Sequence, residues 1–318
     1  MNYQEIFYAL WTIAALSVEL QVTKRLNEEN KYYLNKYKIQ DYNREEDKLK
    51  FRKYKNDFID IFKDAKELSK IKHPILKDED IQKLNNLEYI IENEDIIKFY
   101  QTLKSQTEPY NLINFYNNIQ TLKINNQEET IKKETPEGSY VELGNYIPLS
   151  NTLNYFKSSQ NYKETLYHEL LHVASTNRKI NLNGLILMLT YDHNLISIGR
   201  GLNEGYTETL CKRFLKTDNS KTYLKLQKLS NLIESFYSNP KDMETDYFNA
   251  NLYNLIIELS QKMTVEEAID IIIDMDYIYY HPQDYSFYKK TISKIINLYQ
   301  KSHNQEETKN FKIKVKTK

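Results

Sequence analysis

Two histidines four residues apart, with a glutamate beside the first, are the residues of this chain best suited to chemistry: His168, Glu169 and His172 in YHELLHVAS. On a helix, positions i and i+4 share a face, so both imidazoles can reach one metal ion at the ~2.0–2.1 Å of zinc–nitrogen bonds. Glu169, one position on, does not ligate; it can take a proton from a water that the metal has acidified. These are the parts for hydrolysing an amide: a Lewis acid for the carbonyl oxygen, an activated water, and a carboxylate that relays its proton to the leaving nitrogen. A catalytic zinc takes three protein ligands, so a third donor must come from elsewhere. In GRGLNEGYTETL, Glu204 and Glu208 stand at i and i+4 on a helix that reads as starting near Leu202. One carboxylate can ligate while the other accepts the ring N–H of a ligand histidine.

HELLH followed by LNEGYTE resembles the gluzincins, a group of zinc metallopeptidases. The second segment is similar to the N-E-x-x-S-D of thermolysin-like enzymes, through Asn203, Glu204, Thr207 and Glu208, and to the L-N-E-G-F-A of the aminopeptidase N group. The resemblance covers residues 138 to 215. It implies that His168, His172 and Glu204 bind one Zn2+ per chain, that Glu169 is the catalytic base, and that Glu208 supports a ligand histidine. Thermolysin relatives carry Asp at the place of Glu208, which lengthens the reach here by one methylene. The resemblance also implies a Tyr or His that donates a hydrogen bond to the developing oxyanion. His281 in YYHPQDY, before Pro282 at a helix end, is the preferred candidate, ahead of Tyr191 and His193 in TYDHN. An edge strand lying over the cleft is expected in YVELGNYIPLS, just upstream of the motif helix. Glu142 within it lacks the G-x-M-E-N spacing that binds a free amino terminus in aminopeptidases.

The elements that must position these residues read as follows. From residue 20 to Ile71 the chain has a charged helical pattern, and helical patterns recur near residues 78 to 105 and 109 to 123. NNQEETIKKETPEGSY, with Pro136 and Gly138, reads as turn and linker, which puts a boundary between a helical N-terminal region, 1–125, and a catalytic region, 126–318. Ser159 or Asn161 is placed to cap the motif helix. All six glycines fall between residues 138 and 205, where a site built from turns and strand edges is therefore expected. Beyond Glu208 the patterns are helical again, and the stretch from His303 onward reads as a loose tail. The expected fold class is α+β, predominantly α-helical, with a zincin-like core, a small β-sheet and a helical C-terminal part.

With 44 basic and 44 acidic side chains the chain offers no basic surface for nucleic acid, so the expected partner is a peptide or protein substrate. The lone Cys211 rules out an internal disulfide and fits a reducing compartment, so a cytoplasmic location is expected. The apolar stretch Ile6–Val18 has 13 residues against the ~20 of a spanning helix and is read as a buried helix, with a weak signal or membrane anchor as the alternative. The function expected is a zinc-dependent peptidase. Its competitors are a regulatory protease that cuts one protein partner and a non-catalytic zinc-binding protein.

Overall fold

The computed structural model describes residue 59 and residues 76–302, apart from 127–130, 136–137, 158–161, 180–181, 192–193 and 217–222. The stretch Ile6–Val18, the charged pattern before Ile71 except Ile59, the caps expected at Ser159 or Asn161, His193, and the tail from His303 lie outside the described residues.

The described chain is predominantly helical, with a small mixed sheet. The pattern over 78–105 forms two helices, α1 (Asp78–Asn86) and α2 (Glu94–Gln106), with a short 3-10 turn after the first. Asn93 causes the restart, because its side-chain oxygen accepts the N–H groups of Asp95 and Ile96 at 3.0 and 3.2 Å. The helix α3 (Ile113–Ile119) ends before strand β1 (Lys123–Asn126). The polar stretch read as a linker contains an antiparallel hairpin instead, β2 (Ile131–Thr135) with β3 (Gly138–Glu142). Its strands lack the apolar alternation that marks a half-buried pair, which is why composition alone suggested a linker.

Strands β4 (Gly144–Ile147) and β5 (Thr152–Tyr155) complete a three-stranded sheet in the order β1-β5-β4, with β1 parallel and β4 antiparallel to β5. Asn125, Asn154 and Asn145 form a hydrogen-bonded ladder across one face, at 3.0 and 2.7 Å. The other face lies on the motif helix α4 (Tyr162–Ser175). Two small antiparallel pairs follow: β6 (Thr176–Asn177) with β7 (Leu182–Asn183), and β8 (Leu187–Tyr191) with β9 (Asn194–Ile198).

Helix α5 (Arg200–Leu215) then carries the two glutamates, and α6 (Leu224–Glu234), α7 (Pro240–Phe248), α8 (Leu252–Leu259), α9 (Val265–Tyr280) and α10 (Tyr285–Ser302) pack around it and each other. Eleven of the sixteen residues of α5 are buried, so it is a central helix and its polar side chains must find partners inside the protein. Tyr206 donates to Glu234 at 2.8 Å, Arg213 grips the same carboxylate with two bonds, and Thr209 meets Ser230 at 3.1 Å. Gly201 and Gly205 let neighbours close in: a Cβ on either would fall inside the backbone of Met275 on α9 or Leu226 on α6. One continuous apolar core draws on α1 to α3 as well as on α4, α5 and the C-terminal helices. No helix among the described residues is long and apolar enough to cross a membrane.

Buried acid on α7 gives the fold a pH dependence. Asp246 accepts Tyr237 Oη at 2.8 Å and Asn254 Nδ2 at 2.7 Å, and burial pushes its carboxyl up to about 7 against those two donors. Between its ordinary value near 3.8 and about 7 the folded chain binds more protons than the unfolded one, so stability falls as pH rises through that window. In urea melts the midpoint should therefore drop from about pH 5 to about pH 7.5, and Asp246→Asn should flatten part of the drop. Identical slopes in variant and wild type would contradict this account.

Candidate metal centre

The C-terminal half of α4 is wholly buried from His168 to Ser175. Its carbonyl end enters the core and needs a donor there. Asn118 of α3 supplies one: its Nδ2 donates to Val173 O at 2.8 Å and Thr176 O at 2.7 Å. The helix is thereby anchored at the end nearest its histidines.

His168 and His172 turn their rings edge to face, with their Nε2 atoms 3.1 Å apart. Glu204 Oε2 on α5 lies 3.2 Å from His168 Nε2 and 3.5 Å from His172 Nε2. Two nitrogens and one carboxylate oxygen thus form a triangle with edges of 3.1, 3.2 and 3.5 Å. The three ligands of a tetrahedral ion with bonds of ~2.0–2.1 Å are separated by about 3.3 Å. The side chains fit zinc in donor type and in spacing, and among the described residues they form a group that could hold a metal ion.

The surroundings stabilise positive charge in that triangle. Burial disfavours a charged His168, yet the Cys211 thiol and the carboxylates of Glu204 and Glu208 outweigh it and hold the imidazole well above its ordinary pKa. Burial would likewise raise Glu204, but His172 and His168 hold its carboxyl well below the usual range. Glu208 Oε1 stands 3.0 Å from His168 Nδ1, off the direction of the ring N–H, so this buried nitrogen lacks a well-formed hydrogen bond. Asn203 lies beside His172: its Oδ1 accepts Leu185 N–H at 2.9 Å, and its Nδ2, a donor, lies 3.4 Å from His172 Nδ1.

Glu169 is 8 % exposed and lies under the edge strand β4, where a Cβ on Gly144 would stand 3.4 Å from its Cγ and press on Thr165 at 2.6 Å. The register of β4 points the main-chain groups of Leu143, Asn145 and Ile147 toward β5 and those of Gly144 and Tyr146 away from it.

His281 is not one of the three residues of that triangle. It ends α9, donates its N–H to Tyr277 O at 2.9 Å, and packs its ring 4.4 Å from that of Tyr277. An aromatic side chain that stacks on His168 is Tyr223, which precedes α6. Its ring stacks 6.0 Å from His168 at 28°, and Tyr279 of α9 stacks on it at 5.9 Å. Burial first, then the nearby Tyr279, Glu204 and Glu169, hold its phenol well above the ordinary value, so it remains a donor at neutral pH. Among 28 tyrosines nothing in the sequence singles out Tyr223. Cys211 was read only for its bearing on disulfides; it sits three residues beyond Glu208, against His168, and burial pushes its thiol up to about 11.

Elemental analysis of the purified protein should find about one zinc per chain, and Glu204→Ala or His172→Ala should lose it or bind it far more weakly. Protein that takes up no zinc after reconstitution would leave HELLH as a helix and no more. Compared with known proteins, the chain matches no family model, no curated protein and no solved structure.

Proposed function

We propose that this chain is a zinc-dependent peptidase with a zincin-like core, acting on a peptide or protein substrate. The observation that carries this reading is the convergence of His168, His172 and Glu204 from two helices, with Glu169 one residue along the same helix as the histidines. A purely structural site needs ligands but no adjacent base. When bound, zinc would supply Lewis acidity for the substrate carbonyl and lower the pKa of a water.

The chain's own residues do the rest. Glu169 takes a proton from the attacking water as its oxygen bonds to the carbonyl carbon, and returns that proton to the amide nitrogen as the C–N bond breaks. To Tyr223, whose ring stacks 6.0 Å from that of His168, we assign the hydrogen bond to the carbonyl oxygen as it gains negative charge, with His281 the candidate that the sequence offered for the same role. An extended substrate can pair with the outward main-chain groups of Gly144 and Tyr146, which would lay it along the edge of β4 beside Glu169. The low exposure of Glu169, His168 and His172 keeps bulk water from the reacting atoms, where fixed charges act more strongly.

Glu169→Gln should retain zinc and lose hydrolysis of a peptide panel by roughly 10²–10⁴-fold. Tyr223→Phe should lower kcat by about 10²-fold with little change in KM. Wild-type protein that holds zinc yet cleaves nothing in a broad panel of peptides and unfolded proteins would count against general peptidase activity. Equal turnover by wild type and Glu169→Gln would remove Glu169 from the mechanism.

A further inference from the structure

Helix α5 begins inside the protein, where water cannot serve its first N–H groups. Its N-cap is Gly199, at φ 95°, which has no side chain to accept them. The acceptor comes from α9. Gly199 N–H donates to Asp276 Oδ2 at 2.8 Å and Gly201 N–H to Asp276 Oδ1 at 2.7 Å, and the backbone of Arg200 bonds the same carboxylate. Asp276 is 1 % exposed. The two helices can meet so closely because residue 201 is glycine, since any Cβ there would collide with the Met275 carbonyl.

What this grip holds is the first turn of α5, which ends at Asn203 and leads directly into Glu204. Glu204 lies three residues past Gly201, about 4.5 Å along the axis, so play in the gripped turn passes directly into Oε2. One turn further along α9, Tyr279 stacks on Tyr223, which stacks on His168. Helix α9 therefore reaches the cluster from two directions.

We propose that Asp276 is a positioning residue for the metal centre: by gripping the first turn of α5 it fixes Glu204 and Asn203 against α4 and so sets how tightly the centre holds its metal. The proposal rests on the reading of His168, His172 and Glu204 as ligands. It assigns Asp276 more than the role of a helix cap, because a loosened cap would move one ligand relative to the two on α4. Outer partners of ligands typically change metal affinity by about 10–100-fold when removed.

The test uses the full chain, with Asp276→Asn, which keeps one acceptor oxygen, Asp276→Ala, which keeps none, and Ile295→Ala, a cavity in the buried core of α10, as a control for lost stability. Zinc affinity is read by competition with a chelator, and amide hydrogen exchange over residues 199–204 is read on metal-free protein. Both Asp276 variants should bind zinc about 10–100-fold more weakly, alanine more so, and exchange faster over 199–204. Ile295→Ala should lower Tm while binding zinc as wild type does. Should Asp276→Ala not fold, Asp276→Asn carries the comparison. The proposal is overturned if the Asp276 variants lose no more affinity than Ile295→Ala, or if exchange over 199–204 is unchanged. Wild-type protein that binds no zinc overturns the ligand reading itself, an outcome distinct from wild type and Asp276 variants binding zinc alike.

Discussion

Three electron-rich atoms within 3.5 Å of one another, largely shielded from water, repel unless something positive lies between them. Much of the described architecture answers that one unfavourable convergence. The protein does not relax it by swinging a side chain out, because His168 and His172 lie on a buried helix half and Glu204 on a helix that runs through the core. Positive charge is favoured there instead, as the raised pKa of His168 and the lowered pKa of Glu204 show from opposite sides of the same contact. A proton can meet that demand partially; a divalent cation with tetrahedral preferences meets it with all three donors at once.

Holding the arrangement requires two helix ends to terminate inside the protein, which is costly unless each orphan group finds a partner. The two solutions mirror each other. A neutral amide, Asn118, serves the carbonyls at the C-terminal end of α4, and an acid, Asp276, serves the N–H groups at the N-terminal end of α5. Each suits the sign of the helix end it meets. Both side chains come from helices that contribute no residue to the triangle, so its arrangement depends on four helices although two carry its members.

The chemistry was legible in the sequence where each role demands one residue type at one helical spacing, as for His168, Glu169 and His172. Glu204 and Glu208 were legible as a pair; their division of labour came from a resemblance, and the coordinates set Glu204 against Nε2 and Glu208 against Nδ1 of His168. Predominantly helical character was legible from periodicity, whereas the restart at Asn93 turns on a local capping bond that periodicity does not report. Of the β2–β3 hairpin, β3 overlaps the strand expected in YVELGNYIPLS, whereas β2 was read as linker because IKKET has no apolar alternation. Asp276, Asn118 and Tyr223 were missed for a different reason. Their importance lies in contacts across 75, 55 and 55 residues of chain, and a long-range partner leaves no periodic trace.

The interval between the helices that carry His168, His172 and Glu204 is filled by two strand pairs, each closed on itself, β6 with β7 and β8 with β9. A self-paired hairpin leaves and returns at nearly the same place, so its length is uncoupled from the distance between the helices it connects. The segment between HELLH and Glu204 is tied to α4 where Asn183 and Gly184 meet Ser175, and to α5 where Leu185 meets Asn203. An insertion in the β8–β9 hairpin would lengthen the chain between HELLH and Glu204 while those two ties and the core keep α4 and α5 in place.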